Sequence, residues 1–175
     1  MMANNSTVSL AGDKNTILQN VEQHLKAKGF SIVAKDFQRP WGGFFVIDEA
    51  QAVSFGAEYF PGIDVPSLAV KNGKLSPKIL MVETGKRLSW QYHHRRAEIW
   101  RLAAGTAGVA TSANDQQGPL KRLAPGEVIR LPQGLRHRLV GLDGWGMIAE
   151  IWQHTDPANP SDEDDIVRVQ DDFGR

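Results

Sequence analysis

The chain contains no cysteine. Disulfides and thiolate ligands are therefore excluded, and any metal must be held by imidazole, carboxylate or amide oxygen. It also lacks net charge, with 20 Lys and Arg against 20 Asp and Glu. Such a balance argues against nucleic acid or an anionic membrane as the main partner. No apolar run approaches the length of a membrane span. The opening Met-Met-Ala-Asn-Asn-Ser lacks the basic and apolar regions of a secretory signal, so a cytoplasmic location is the expectation. No internal repeat or low-complexity segment stands out.

What is present is an ordinary globular composition, 175 residues with 41% hydrophobic and 23% charged. That suffices for one domain with a sizeable core. The charges are unevenly placed. From Lys71 to Arg101 the chain is rich in Lys and Arg, with only Glu83 and Glu98 opposing them. From Asp156 to Asp172 it is strongly acidic. Two readings stand: solvated faces that attract each other within the fold, or basic residues that bind an anion.

Residues from about Asn15 to Lys28 read as a helix. Ile17, Leu18, Val21 and Leu25 fall on one stripe, Asn15 or Asp13 supplies a cap, and Gly29 is the stop. After Gly29, short β-prone runs are separated by Gly, Pro, Asn and Asp. The expected strands are Gly43–Ile47, Val53–Ala57, Lys78–Glu83, Leu88–His93, Ile99–Ala103, Ala107–Ser112, Glu127–Leu131, His137–Val140 and Met147–Gln153, with a last short element at Ile166–Val169. Many short, closely spaced strands point to an all-β sandwich or barrel. The expected organisation is an N-terminal helical extension over 1–36 and a barrel domain over 37–175.

Two glycine-bounded clusters in the middle carry the chemistry. The first runs from Gly85 through Gln91, His93 and Glu98 to Gly105; the second runs from Gly126 through Pro132 and Gly134 to His137. Strand alternation puts Gln91 and His93 on one face and His94 on the other. A hairpin turn over Arg95-Arg96-Ala97 would bring Glu98 back beside His93, and the turn after Pro132 would deliver His137. Gln91, His93, Glu98 and His137 thus form a candidate set for one divalent metal. Two imidazoles, a carboxylate and an amide oxygen suit zinc first, with Mn, Fe, Co or Ni also compatible. A lone His-x-x-x-x-Glu is a weak signal; the joint spacing with its glycines and proline is what gives it weight. His24 and His154 lack matching partners and read as structural or solvated. Arg136 and Arg138 flank His137 and should face away from the metal.

These spacings resemble the two motifs of the cupin superfamily, a jelly-roll barrel or double-stranded β-helix. Gln91 stands where the first motif has its first His, and Gly141 where the second has Asn. Further segments are similar to the mannose-6-phosphate isomerase cupin family: Arg39-Pro40-Trp41-Gly42, Lys78-Ile-Leu, Leu88-Ser-Trp-Gln91, Glu98-Ile-Trp100, Leu131-Pro132-Gln-Gly134, Glu163-Asp-Asp165-Ile-Val-Arg168 and Asp171-Asp-Phe173-Gly-Arg175. The resemblance covers about Arg39 to Arg175. It departs at Trp90 and Ile99 and over 49–74, and no guanylyltransferase domain accompanies it.

The resemblance implies aldose–ketose isomerisation of a sugar or sugar phosphate, for instance mannose 6-phosphate to fructose 6-phosphate through a cis-enediol. It also implies Lys78 and Arg168 as substrate anchors, with Arg168 suited to phosphate or enediolate charge. The proton carrier is Glu98 or Glu150. Metal binding would weaken Glu98 as a base, whereas Glu150 shares a strand face with Ile148 and Trp152 and would be buried with a raised pKa. A structural partnership of Glu150 with a buried Arg is the competing reading. Trp41, Trp100 and Trp152 read first as core, with Trp41 the choice for a sugar contact. A homodimer is expected. A free-sugar (mannose or lyxose) isomerase, a non-catalytic sugar-binding cupin and a metal-dependent oxygenase remain the alternatives.

Overall fold

A computed structural model of the chain describes residues 7–70 and 73–175. The opening Met-Met-Ala-Asn-Asn-Ser and Lys71, where the basic stretch begins, lie outside the described residues. The first helix, α1 (Lys14–Ala27), follows the predicted stripe: Ile17, Leu18, Val21 and Leu25 are all buried. Asp13 caps it by accepting a hydrogen bond from Thr16 N at 2.8 Å. Its buried stripe joins the same apolar cluster as Phe45 and Ile47 of the sheet.

Among the described residues nine strands form one antiparallel system: β1 (Ile32–Asp36), β2 (Gly42–Ile47), β3 (Lys78–Val82), β4 (Trp90–Tyr92), β5 (Arg96–Ser112), β6 (Leu120–Arg122), β7 (Val128–Leu131), β8 (Arg136–His154) and β9 (Val167–Gln170). The order is β1-β2-β3-β8-β4-β9, and β5 pairs with β6, β7 and β8. This is the expected all-β jelly roll. Four predicted strands prove to be halves of two long ones. Ile99–Ala103 and Ala107–Ser112 fuse into β5, and His137–Val140 and Met147–Gln153 fuse into β8. The two run side by side from Arg96↔His154 to Ser112↔Arg136, with register breaks between Leu102 and Ala104 and between Gly105 and Ala107. The fused strands bend there, which lets each serve both halves of the barrel. Gly105 has φ +71, and a Cβ on it would lie 2.0 Å from Trp145 O. The glycine that closes the first motif is therefore the corner of the barrel.

Two expectations fail. Val53–Ala57 is not a strand but lies inside the helix α2 (Ala52–Tyr59). Its buried residues, Ala52, Phe55, Gly56 and Tyr59, follow a helical period, and a 3-10 turn (Glu49–Gln51) capped by Asp48 leads into it. Strands β1 and β6 are absent from the expected set because neither has buried alternation: Ile32–Asp36 is a solvent-facing edge paired to β2, and Leu120–Arg122 is exposed throughout and paired to β5.

The two charge-biased segments meet. Lys78 pairs with Glu163 at 2.6 Å, Arg87 with Asp172 at 2.6 Å and Arg95 with Asp162 at 3.3 Å. The mutual attraction of the two faces lashes the acidic C-terminal segment across the barrel mouth.

Gly141 stands where the cupin motif has Asn, and packing explains the difference. A Cβ there would lie 2.0 Å from Glu83 O and 2.9 Å from Lys86 O, because the Thr84-Gly85 turn closes directly onto it. Gly141→Asn, which restores the motif, should therefore destabilise the fold by about 2–3 kcal/mol, measured as a lower urea midpoint at unchanged slope; an equal or higher midpoint would refute the packing argument.

Candidate metal centre

Gln91 of β4 sits opposite His137 of β8 in the ladder, so adjacent strands bring the two clusters together. His93 follows the end of β4. The turn beyond it is at His94 and Arg95 rather than over Arg95-Arg96-Ala97; Arg96 already opens β5. Glu98 is the third residue of β5 and folds back beside His93, as expected. One ligand atom from each of His93, Glu98 and His137 can be chosen so that all lie within 4.8 Å of one another, and all three residues are buried. His93 Nε2 is 3.2 Å from Glu98 Oε1 and His137 Nε2 is 3.5 Å from Glu98 Oε2.

The backbone sets both imidazole tautomers. His93 Nδ1 donates to Asp165 O at 2.7 Å and His137 Nδ1 donates to Leu135 O at 2.9 Å. A carbonyl only accepts, so both Nδ1 atoms carry the proton and both Nε2 lone pairs face Glu98. Glu98 Oε2 and His137 Nε2 are buried and make no hydrogen bond. Leaving a buried polar atom unmatched costs about 1–3 kcal/mol; a divalent cation between these atoms would offset that cost for both. Donor type, spacing, tautomer and unmatched lone pairs all fit a metal. Gln91 lines the adjoining cavity, where its Oε1 accepts from Ser89 Oγ at 2.5 Å and keeps a second lone pair.

The segment around Asp165 supports the centre from outside. Its carboxylate accepts from His94 N, Arg95 N and Ser161 Oγ while its carbonyl holds His93. One residue thus fixes both the turn and the imidazole. His94 is exposed. His154 is buried and structural, accepting from Ser161 N and facing Ser76 Oγ. Arg138 points away, as expected, and donates to Gln117 and to Gln170 O.

A cavity of about 430 Å³ opens beside the trio, and its lining includes Trp41, Lys78, Gln91, Glu98, Glu150 and Arg168. Arg168 lies opposite Gln91 on β9, is exposed, and makes no side-chain hydrogen bond or ion pair among the described residues. Lys78 is buried, lies opposite Glu150 on β8, and rests over the Phe44 ring at 4.3 Å. Trp41 is 6% exposed and presents part of its ring to the cavity.

The two carboxylates are driven in opposite directions. Burial would raise the pKa of Glu98, but the imidazoles of His93 and His137 and the Arg96 guanidinium hold it well below the usual range. Burial, then the charge of Glu98, push Glu150 up to about 7, with Lys78 and Arg96 opposing. Glu150 is not the partner of a buried Arg. Its Oε2 accepts from Trp100 Nε1 at 2.7 Å and its Oε1 from Trp152 Nε1 at 2.8 Å. Trp100 and Trp152 are buried, as expected of core residues, and their N–H groups in addition aim a carboxylate. The sequence reading passed over that role, and over Arg96 and Asp165. Register would have found Arg96, which shares a strand face with Glu98, had the turn not been drawn across it.

Comparison with known proteins gives the family of the chain. The family described as "Mannose-6-phosphate isomerase C-terminal" matches residues 66–171, more than half of the chain. The chain belongs to this family. It is 29% identical over 170 residues to a mannose-1-phosphate guanylyltransferase of Escherichia coli (strain K12), covering 95% of this chain and 29% of that protein. It is 28% identical over 165 residues to alginate biosynthesis protein AlgA of Pseudomonas aeruginosa, covering 93% and 28%. The chain thus spans under a third of the length of these relatives. Among solved structures, the capsular polysaccharide assembling protein CapF of Staphylococcus aureus superposes with TM-score 0.51 at 13% identity, covering 81% of this chain and 34% of that one. Procruciferin, an 11S globulin of Brassica napus, gives 0.52 at 13% identity over 77% and 28%. At such identities these two establish the jelly-roll fold and nothing further. No helix among the described residues of this family member is long and apolar enough to cross a membrane.

The raised pKa of Glu150 has a signed consequence. Its folded value lies above its unfolded one near 4.5, so the folded state holds the extra proton between the two. The contribution of Glu150 to stability is fully present below pH 4.5 and is lost as pH rises toward and through 7. With chelator present, urea titrations from pH 4.5 to 8 should show wild type losing about 3 kcal/mol relative to Glu150→Gln. Parallel stability curves for the two proteins would contradict the assignment.

Proposed function

We propose that this chain is a metal-dependent aldose–ketose isomerase acting on a sugar phosphate, such as mannose 6-phosphate to fructose 6-phosphate. One observation carries the reading. A single cavity is lined by Glu98 of the His–His–Glu trio, by a tethered carboxylate with a pKa near neutrality, and by an uncommitted arginine. The family and the guanylyltransferase relatives favour a mannose phosphate as the sugar.

In this reading His93, Glu98 and His137, with Gln91, hold the ion, and zinc suits the two imidazoles and one carboxylate. When bound, the ion supplies Lewis-acid stabilisation for the negative charge that develops on O1 and O2 of the sugar. Glu150 removes the proton from C2 and returns it to C1, while the O2 hydroxyl proton passes to O1. Its pKa suits both halves of that transfer at neutral pH, and the two indole N–H groups keep it from swinging. Glu98, held anionic and turned toward two imidazoles, is the poorer base. Arg168 takes the phosphate or the enediolate charge, Lys78 fixes the sugar beside Glu150, and Trp41 packs on it. Residues 37–175 carry all these groups, with 1–36 as an extension; the enzyme works in the cytoplasm as a homodimer.

Zinc-loaded protein incubated with mannose 6-phosphate in deuterated water should yield ketose with deuterium incorporated at the transferred position, seen by NMR. Turnover of mannose or lyxose alone would make it a free-sugar enzyme; binding without exchange would make it a sugar-binding cupin; oxygen consumption would make it an oxygenase. Glu150→Gln should lower kcat by about 10²–10⁴ and remove the rise of kcat/KM with pH near 7, since the base acts only when deprotonated. The ligand assignment is separable from activity. A His93→Ala, His137→Ala double variant should lose its stoichiometric metal by elemental analysis, and full retention would sink that assignment.

A further inference from the structure

Arg96 stands closer to the trio than any other cation. It is 5% exposed, and its Nε donates to Glu98 Oε1 at 2.8 Å while Nη2 lies 3.3 Å from His93 Nε2. The far side of the guanidinium is clamped. Nη1 donates to Ser161 Oγ at 2.9 Å and to Asp162 O at 3.0 Å, and the group stacks on Trp152 with its central carbon 3.7 Å from the ring centroid.

A neutral imidazole has one ring lone pair to offer. On His93 it is at Nε2, because Nδ1 donates to Asp165 O. That lone pair can accept from Arg96 Nη2 or bind a metal, but not both. Glu98 is divided between the two: its Oε1 takes Arg96 while its Oε2 faces His137 Nε2 at 3.5 Å without a hydrogen-bond partner. A guanidinium cannot lose its charge here, so a divalent ion must enter beside a permanent positive neighbour. We propose that Arg96 is an internal competitor for the metal, so that loading requires its Nη2 to turn away from His93 while Nη1 stays anchored. Arg96 is a positioning residue that sets how tightly the ion is held. This rests on the reading of His93, Glu98 and His137 as ligands.

The opposite role is a plain support, in which Arg96 only orients Glu98 for the ion. The two roles predict opposite signs. Zinc affinity measured by chelator competition should be about tenfold tighter or more in Arg96→Met, the effect of removing a like charge beside the ion. The thermal midpoint of the chelated variant should fall below that of chelated wild type, because two buried acceptors lose their donor. Arg96→Lys, which keeps the charge, should stay within a few-fold of wild type in affinity. Weaker or unchanged zinc affinity in folded Arg96→Met would overturn the proposal. Should that variant not fold, wild type decides: in ¹⁵N spectra the Arg96 guanidinium resonances must shift on zinc saturation, and unmoved resonances overturn it equally. Wild-type protein that binds no zinc at all would instead remove the ligand reading on which the proposal stands.

Discussion

The site is organised around one buried negative charge. Glu98 is 2% exposed near the start of β5. An unpaired carboxylate at that depth is very costly, and it persists only where positive or donor groups surround it. Arg96 supplies that charge by donating to Oε1 at 2.8 Å, and the imidazoles of His93 and His137 face the carboxylate from two further directions. Each is in turn held by something farther out: His93 by Asp165, His137 by Leu135, and Arg96 by Ser161, Asp162 and the Trp152 ring. The C-terminal segment is therefore part of the centre. Without its lashing across the mouth, two of the three groups that face Glu98 would lose their orientation.

The same charge shapes Glu150 on the adjacent strand β8, two residues from the direct partner of Glu98, Trp152. Trp100 and Trp152 both donate to Glu150, which would favour its ionised form, yet burial and the nearby Glu98 outweigh them. Two carboxylates in one cavity are thereby separated in character. One is held anionic by cations and suited to ligate; the other is poised near neutrality and suited to carry a proton. Exposed ion pairs on the rim contribute little each, on the order of 0–1 kcal/mol; the energetics of the site are decided by the groups below the rim.

Much of the barrel is legible in the sequence. Alternation put Gln91 and His93 on one face, and the glycines and Pro132 marked the turns that bring His137 to them. The helix stripe of α1 was readable for the same reason, since periodicity survives any packing arrangement. The length of β5 and β8 was not. Gly105 and the glycines of 141–146 read locally as turns, and only the ladder between the two strands shows them as bends in continuous strands. Val53–Ala57 misled because Val and Phe favour strands, while its burial against Val65 and Phe60 follows a helical period.

The sequence by itself determined the all-β class, the identity of the His–His–Glu trio and the placing of Glu150 on an inward face, because each follows from spacing along one or two strands. The tertiary structure decided what surrounds those groups. Whether Glu150 meets an arginine or two indoles, whether Arg96 lies in a turn or beside His93, and whether residue 141 has room for a side chain depend on segments far apart in the chain. Burial and cross-strand register set the charge state of a carboxylate and the occupant of a lone pair, and neither is a property of a sequence window.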